Sequence, residues 1–270
     1  MKRILCPIDF SEASYSATQY AGNLARKIKA GITLINVQVL GEMSLEQVVY
    51  RKDMNTQAHD SQLEELSVAV TKAFKVPCGF EVASSRMSFA SVIASNSLDY
   101  DLIVIGTKAS HSTFQEAFGT HAYKVAREAK VPILIVPEEC SYGEIKTIVY
   151  AYDYWRTTQL PFNALLRFAK SLHSKIVILQ AMEESDSKTA DEELKQDQKE
   201  IKDFFGDEGV DIRFDTIHTS DIATGINNYM HFNGDVLAVY AEPRSLIQKL
   251  FHKSVIKEIS NKASYPVFVF

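Results

Sequence analysis

The chain has 270 residues, 46% of them hydrophobic and 23% charged, so it is long enough for two domains that each bury a core. Its formal net charge is −5 and no run of Lys and Arg stands out, which argues against the basic face that nucleic-acid binding normally requires. Cys6, Cys78 and Cys140 are scattered without metal-ligand spacing, which favours a reduced setting. No apolar stretch approaches the roughly 18 residues of a membrane span. We therefore expect a cytoplasmic protein that binds neither nucleic acid nor membrane.

In the first half, short apolar runs alternate with stretches of helical periodicity. Residues 3–8 form the first predicted strand, and Ser11 follows as the N-cap of a helix. The buried face of that helix recurs at 3.6-residue spacing and comprises Ala17, Tyr20, Ala21, Leu24, Ala25 and Ile28. Further strands are predicted at 32–39, 79–83, 102–105 and 133–136, with a helix through Phe89, Val92, Ile93 and Leu98 and another over 119–130. Strands that alternate with helices predict a parallel sheet with right-handed crossovers.

The second half repeats the first. The segment that begins at Asp101 aligns without a gap on the segment that begins at Asp235, and Pro132 aligns on Pro266. The starts of the halves also match, with residues 3–9 over 147–153 and residues 32–37 over 176–181. A charged helix at 191–205 and a third strand at 211–217 complete the predicted second half. An internal repeat of this length indicates two domains of one architecture, which we place at 1–140 and 141–270.

A ligand site is expected at the carboxyl ends of the strands. In an open parallel sheet, ligands bind there, close to the point at which the strand order reverses. Pro7-Ile8-Asp9 follows the first strand, Asn36-Val37 ends the second, and residues 106–120 follow the fourth. The last segment has Gly106-Thr-Lys-Ala109, nine further residues, and then Gly119-Thr120 at the start of a helix. A helix N-terminus carries roughly +0.5 charge and free N–H groups, which suit a phosphate group.

Three motifs together resemble the universal stress protein family. They are Pro7-Ile-Asp-Phe-Ser, the Gly-x2-Gly-x9-Gly-Ser/Thr pattern of residues 106–120, and Pro132-Ile-Leu-Ile-Val-Pro. The resemblance covers nearly the whole chain as two tandem domains. It implies an α/β fold in which each domain is a five-stranded parallel sheet with helices on both faces, Rossmann-like and similar to the adenine nucleotide alpha hydrolases. One branch of the family binds ATP, so the resemblance implies a stress-response regulatory protein that binds ATP, with or without Mg²⁺, or a related adenine nucleotide.

The resemblance also implies which residues contact the nucleotide. Asp9 and Val37 would lie at the adenine and ribose end, and Gly106, Gly119 and Thr120 at the phosphates. The full set of nucleotide-binding residues that we predict is Pro7, Ile8, Asp9, Val37, Ile105, Gly106, Ala109, Gly119, Thr120 and His121. No catalytic or metal-ligating residue is predicted. Ala109 stands where the family has a glycine, and its methyl group costs of order 1 kcal/mol or more only if that position requires a positive φ.

The second half departs further from the family pattern. Its residues at the positions of the three motif glycines are Tyr240, Pro243 and Lys253. Ser254 survives at the position of Thr120, and Asp153 at the position of Asp9. We therefore predict that the second domain binds no nucleotide and acts as a built-in partner of the first. The apolar last strands of the two domains, 131–137 and 265–270, are predicted to pair within the chain, and a further homodimer is compatible with this arrangement.

Each site residue also has a structural alternative. Asp9 would serve as a helix cap, Gly106 as a strand-end turn, Gly119 as a helix start, and His121 as a surface residue or loop cap. Three functions follow from these alternatives. The first is a nucleotide-responsive protein whose loop 108–118 signals to a partner protein, and the second is a nucleotide-independent interaction module of the same fold. The third, a slow ATPase or a phosphotransferase, is disfavoured because the sequence has no P-loop, no clear base and no metal-binding carboxylate pair, so we predict that the protein is not an enzyme.

Overall fold

The computed structural model describes residues 1–40, 45–108, 120–152, 162–183, 198–199, 201–202, 209–240 and 265–270. These residues form two compact units. The first contains residues 1–108 and 120–142, and the second contains the described residues from 143 to 270.

The first unit is a five-stranded parallel sheet. Its strands are β1 (Arg3–Pro7), β2 (Gly31–Val39), β3 (Cys78–Ser85), β4 (Leu102–Thr107) and β5 (Ile133–Pro137). They lie in the order β3-β2-β1-β4-β5, and every pairing is parallel. Ile4 and Leu5, neighbours on β1 that point to opposite faces, are both fully buried. A strand that is apolar on both faces needs cover on both sides, which the crossover helices supply.

Among the described residues, four helices connect these strands. They are α1 (Glu12–Ile28), α2 (Leu45–Phe74), α3 (Phe89–Asn96) and α4 (Thr120–Glu128). α1 contacts α2, and α3 contacts α4. Right-handed crossovers place α1 and α2 on one face of the sheet and α3 and α4 on the other, because the chain reverses its direction across the sheet after β3. The predicted fold class is therefore confirmed.

The ends of α1 follow local side-chain chemistry. The Ser11 hydroxyl accepts a hydrogen bond of 3.3 Å from the Ser14 N–H, so the predicted N-cap is confirmed. The helix ends where Lys29 adopts a left-handed conformation with φ 56°. The predicted apolar face is buried except for Ile28, which lies in the last turn and is half-buried. The helix predicted through Leu98 ends earlier, at Asn96, because residues 97–99 tighten into a 3₁₀ turn that leaves Leu98 66% exposed.

The second unit is also a five-stranded parallel sheet. Its strands are β6 (Thr147–Tyr152), β7 (Lys175–Glu183), β8 (Ile212–Thr219), β9 (Val236–Val239) and β10 (Val267–Val269), in the order β10-β9-β6-β7-β8. Its helices include α5 (Asn163–Leu172) and α6 (Ile222–Asn233). Of the helix predicted at 191–205, the described residues 198–199 and 201–202 are helical and the rest lie outside the described residues.

The two units repeat each other down to single hydrogen bonds. The Asp101 carboxylate accepts hydrogen bonds from the backbone N–H groups of Lys2 (2.7 Å) and Arg3 (3.1 Å). In the second unit, the carboxylate of Asp235 accepts the corresponding bonds from Lys146 and Thr147, both at 2.8 Å. The strand registers agree as well, with Ile4 opposite Leu102 and Ile148 opposite Val236. The alignment of the halves that the sequence suggests is therefore confirmed in three dimensions.

Candidate functional site

The topology of the first unit creates a crevice between β1 and β4. The chain leaves β1 toward β2 on one side and leaves β4 toward β5 on the other, and such a reversal of strand order creates a crevice at the carboxyl ends of the two strands. Pro7, Ile8 and Asp9 border the crevice on the β1 side, and residues 106–108 border it on the β4 side. We call this place the β1–β4 crevice.

The backbone at the end of β1 is fixed by its neighbour β2. The Ile8 N–H donates to the Ile35 carbonyl at 2.9 Å, and the side-chain amide of buried Asn36 donates to the Ile8 carbonyl at 2.8 Å. The side chains of Pro7 and Ile8 are buried. The two residues therefore form a rigid base from which the next residue, Asp9, turns out of the sheet.

Asp9 is an exposed acidic residue at the β1–β4 crevice. Its carboxylate accepts hydrogen bonds from the Ser11 N–H (3.0 Å) and the Ser11 hydroxyl (2.6 Å). Partial burial opposes ionisation of this carboxyl, but the hydrogen bonds from Ser11 outweigh it and hold the pKa of Asp9 below its usual value. Asp9 is therefore a carboxylate at neutral pH and retains acceptor capacity toward solvent. Asp9 is not itself the N-cap of α1. It supports the cap indirectly, because its carboxylate accepts hydrogen bonds from Ser11, the N-cap residue.

The turn after Asp9 contains a backbone conformation that the sequence does not reveal. Phe10 has φ 62°, which costs a residue with a side chain roughly 1–2 kcal/mol. The other described non-glycine residues with positive φ are Lys29, Lys75 and His173, and each directly follows the end of a helix. Phe10 instead precedes a helix and turns the chain between Asp9 and Ser11. Backbone strain of this kind concentrates at functional sites.

Gly106 lies against the first turn of α1. A Cβ atom added at Gly106 would be 2.1 Å from the carbonyl oxygen of Ala13 and 3.0 Å from the backbone nitrogen of Ser14. Gly106 also pairs with Val136 inside β4, so the alternative interpretation as a strand-end turn is wrong. The absent side chain lets α1 pack directly on β4, and the predicted contact of Gly106 with a phosphate stays a prediction.

The end of β4 is tied to β5 and to α1 through Glu138. The Glu138 N–H donates to the Thr107 carbonyl at 2.9 Å, and the Ser16 hydroxyl donates to the Glu138 carbonyl at 2.8 Å. Lys108 extends into solvent, and its Nζ lies 4.0 Å from a Glu138 carboxylate oxygen. An exposed pair at this distance contributes little to stability, which leaves Lys108 available to another anion.

The remaining predicted site residues occupy different surroundings. Ile105 is buried in β4 beside the crevice, and Val37 is half-buried in β2, where it pairs with Ala83. Thr120 is the first residue of α4, and His121 is exposed with its ring edge-on to Phe89 of α3 at 4.9 Å. Ala109 and Gly119 lie outside the described residues. The structure thus brings Pro7, Ile8, Asp9, Ile105 and Gly106 to the β1–β4 crevice and shows His121 in contact with α3.

Aromatic side chains cluster at the strands of the second unit that correspond to β1, β4 and β5. Tyr240, which aligns with Gly106, lies 5.8 Å from the Phe270 ring between ring centres, and Tyr150 contacts both Phe270 (5.6 Å) and Phe162 (5.5 Å). Asp153, Pro243, Lys253 and Ser254 lie outside the described residues. Aromatic side chains from β6, from the end of β9 and from the end of β10 are thus in contact within the second unit.

Neither metal-site geometry nor a reactive thiol is found in the part of the chain that the structure describes. No three His, Cys, Asp or Glu side chains there are grouped so that they could hold a metal ion. Burial raises the pKa of the Cys6 thiol to about 12, and that of Cys78 and Cys140 to about 11. All three cysteines are therefore protonated at neutral pH. No described helix is long and apolar enough to cross a membrane.

Comparison with known proteins agrees with this fold and topology. The model of the universal stress protein family matches residues 1–137, which is just over half of the chain. No curated protein sequence matches. The fold is that of a tandem α/β protein with a crevice at the reversal of strand order in its first unit, and this chain belongs to the universal stress protein family.

Several solved structures share the fold. A universal stress protein from Archaeoglobus fulgidus superposes with a TM-score of 0.73 at 17% identity and covers 99% of this chain and 97% of its own. A putative universal stress protein from Pseudomonas aeruginosa has a TM-score of 0.61 at 11% identity, with 100% of this chain and 93% of that chain covered. A universal stress protein family protein from Arabidopsis thaliana with AMP bound has a TM-score of 0.37 at 17% identity over 51% of this chain and 92% of that chain. The first two place the tandem fold of this chain among solved structures.

Proposed function

We propose that this chain is a stress-response regulatory protein that binds ATP or a related adenine nucleotide in the β1–β4 crevice of its first unit. The observation that carries the proposal is Asp9, an exposed carboxylate with a lowered pKa at the point where the strand order reverses. In doubly wound folds, an acidic side chain near this edge accepts hydrogen bonds from ribose hydroxyls. The Arabidopsis thaliana protein with AMP bound matches only 51% of this chain. The proposal therefore rests on the residues of the crevice and not on that protein.

The surroundings of Asp9 suit a nucleotide. Ser11 holds the carboxylate through two hydrogen bonds, and Asn36 fixes the preceding backbone, so the acceptor is oriented before the ligand arrives. Preorganisation of this kind lowers the entropic cost of binding. On the β4 side, α4 begins at Thr120 and directs its N-terminus toward the same edge, and Lys108 provides a solvent-exposed cation. Both features stabilise phosphate.

The second unit is proposed to bind no nucleotide and to act as a partner for the first. The contact between Tyr240 and Phe270 supports this, because Tyr240 carries a packed aromatic ring at the position that Gly106 has in the first unit. The pairing of the last strands of the two domains, the homodimer and the protein partner stay predictions. So does the absence of catalysis, for which the check is steady-state release of phosphate from ATP by the purified chain.

Asp9→Asn tests the proposed site. It keeps the size of the side chain but removes the charge, and we expect nucleotide affinity to fall about tenfold, the effect of one charged hydrogen bond. Asp99→Asn is the matched control, because Asp99 precedes β4 at the opposite edge of the sheet and its side chain is 85% exposed. Thermal stabilisation by Mg-ATP, ADP and AMP should be smaller in Asp9→Asn than in the wild type and unchanged in Asp99→Asn. Equal stabilisation of both variants would place the nucleotide elsewhere.

The alternative function is a nucleotide-independent interaction module of the same fold. The aromatic cluster of the second unit favours it for that half of the chain. If the first unit also lacks a nucleotide, the purified chain should contain no copurified nucleotide and none of the three nucleotides should stabilise it.

A further inference from the structure

An ion pair between Lys108 and Glu138 lies at the end of the β1–β4 crevice that is farther from Asp9. Lys108 follows β4, and Glu138 follows β5, where its N–H donates to the Thr107 carbonyl at 2.9 Å. Neighbouring strands of a sheet are about 4.8 Å apart, so β5 is about 10 Å from β1, which carries Asp9. With the ribose at Asp9, as proposed, the ion pair lies toward the terminal phosphates and away from the base.

The lysine of this pair is held loosely. Its Nζ is 4.0 Å from a Glu138 carboxylate oxygen, which is beyond the length of a hydrogen bond. The Lys108 side chain is 69% exposed, and a lysine ammonium moves on a flexible four-carbon stem. Because an exposed pair of this kind contributes little to stability, Lys108 is free to turn from Glu138 to another anion.

Glu138, by contrast, is constrained. Its backbone is tied at both ends of the residue, because its N–H donates to Thr107 and its carbonyl accepts a hydrogen bond from the Ser16 hydroxyl. The carboxylate oxygen that faces Lys108 is buried, and within the described part of the chain it has no hydrogen-bond partner. A buried charged oxygen without a hydrogen bond depends on nearby positive charge. Glu138 therefore competes with an incoming phosphate group for Lys108.

The charges around the crevice make this competition depend on the ligand. Of the described residues that border the crevice, Asp9 is acidic and Lys108 is basic, and Glu138 adds a second acidic group beside the lysine. Each further phosphate group adds negative charge to a nucleotide and brings that charge closer to the ion pair. Attraction to Lys108 and repulsion from Glu138 therefore both increase from AMP to ATP.

We propose that Lys108 exchanges partners, from Glu138 in the free protein to the terminal phosphates of the bound nucleotide, and that this exchange sets the preference among AMP, ADP and ATP. The inference rests on the proposed nucleotide site and adds a pair of specificity-determining residues to it. Lys108 favours the triphosphate, while Glu138 limits that preference because it retains the lysine and repels phosphate. Since specificity is a difference between two affinities, it is measured separately from affinity itself.

The test is the ratio of ATP affinity to AMP affinity, measured by calorimetry on the full chain. EDTA replaces Mg²⁺, so that the phosphate groups keep their charge. Lys108→Met keeps most of the side-chain length but removes the charge, and should lower the ratio about tenfold. Glu138→Gln keeps the size of the side chain, and should raise the ratio about threefold, the effect of one weak ion pair. In the wild type, added salt should lower the ratio, because salt screens exposed charges.

A second exposed ion pair supplies the matched controls. Lys146 Nζ lies 3.5 Å from a Glu144 carboxylate oxygen, before β6 in the second unit. Lys146→Met and Glu144→Gln repeat the two substitutions away from the crevice, and both should leave the ratio unchanged. The melting temperature of each variant without nucleotide shows that it is folded.

The outcomes separate this inference from the proposed function. A ratio that does not fall in Lys108→Met, or does not rise in Glu138→Gln, would overturn the exchange of partners. The proposed function would still stand if Asp9→Asn weakened the binding of both nucleotides. A wild-type chain that binds neither ATP nor AMP would reject the proposed function, and the inference with it.

Discussion

The carbonyl oxygen of Ala13 lies so close to Gly106 that a Cβ atom added at Gly106 would be 2.1 Å from it. This contact seats the first turn of α1 on β4. It thereby carries the Asp9–Ser11 turn to the carboxyl end of the neighbouring strand, where the proposed nucleotide site lies. Because position 106 has no side chain, α1 can pack closely on β4, and this packing positions the Asp9–Ser11 turn.

Gly106→Ala should destabilise the first unit. The new methyl group meets backbone atoms, which cannot rotate away, so α1 must shift, and overpacking of this kind costs about 1–3 kcal/mol. Gly79→Ala is the matched control, because Gly79 is also a strand glycine and a Cβ there would have no neighbour within 4 Å. Urea unfolding of the two variants checks this, and equal stability would show that α1 does not sit tightly on β4.

Asp101→Ala and Asp235→Ala should each destabilise the unit that contains them. Each substitution leaves two backbone N–H groups without a charged acceptor, at a cost of about 1–3 kcal/mol. Because the two carboxylates make equivalent bonds, the losses should be similar, and they should add in the double variant. A variant pair in which only one substitution is destabilising would contradict the equivalence of the units.

Asp9 should make stability depend on pH in the acidic range. Its folded pKa lies below the unfolded value of about 3.9, so the ionised form is favoured in the folded state. The resulting stabilisation is present above the unfolded pKa and is lost as pH falls through the folded pKa. Asp9→Asn should therefore flatten the fall in stability as the pH drops below the unfolded pKa of about 3.9, relative to Asp99→Asn. Identical acid profiles of the two variants would show that the Ser11 hydrogen bonds do not act on Asp9.

The cysteines should differ in their reaction with a thiol reagent at pH 8. Cys6 is fully buried with a pKa of about 12, whereas Cys78 is half-buried with a pKa of about 11. Only about one Cys78 thiol in a thousand is ionised at pH 8, so we expect Cys78 to react slowly and Cys6 only after denaturation. A Cys78→Ser variant identifies the slow phase, and rapid native labelling of that variant at Cys6 would contradict the buried position of β1.

The strands and helices could be predicted from the sequence because apolar residues recur along the chain with the spacing of each element. Runs such as residues 3–8 are apolar on both faces, and Ser11 is a strong capping signal, so β1 and the start of α1 could be predicted. The equivalence of Asp101 and Asp235 followed from the repeat alone. These features depend on residue type and spacing, which a sequence displays directly.

Other parts of the site depend on three-dimensional detail that residue type does not display. A glycine allows either an anion or a helix backbone to approach closely. The sequence alone therefore could not show that the neighbour of Gly106 is the backbone of Ala13. Phe10 gives no sign of a positive φ, because that conformation favours glycine or asparagine.

The most direct test of the central claim is a calorimetric titration of the purified full chain with Mg-ATP, alongside Asp9→Asn and Asp99→Asn. The account predicts one site per chain in the wild type and in Asp99→Asn, with affinity about tenfold weaker in Asp9→Asn. Binding at two equivalent sites per chain, or equal affinity in all three proteins, would contradict it.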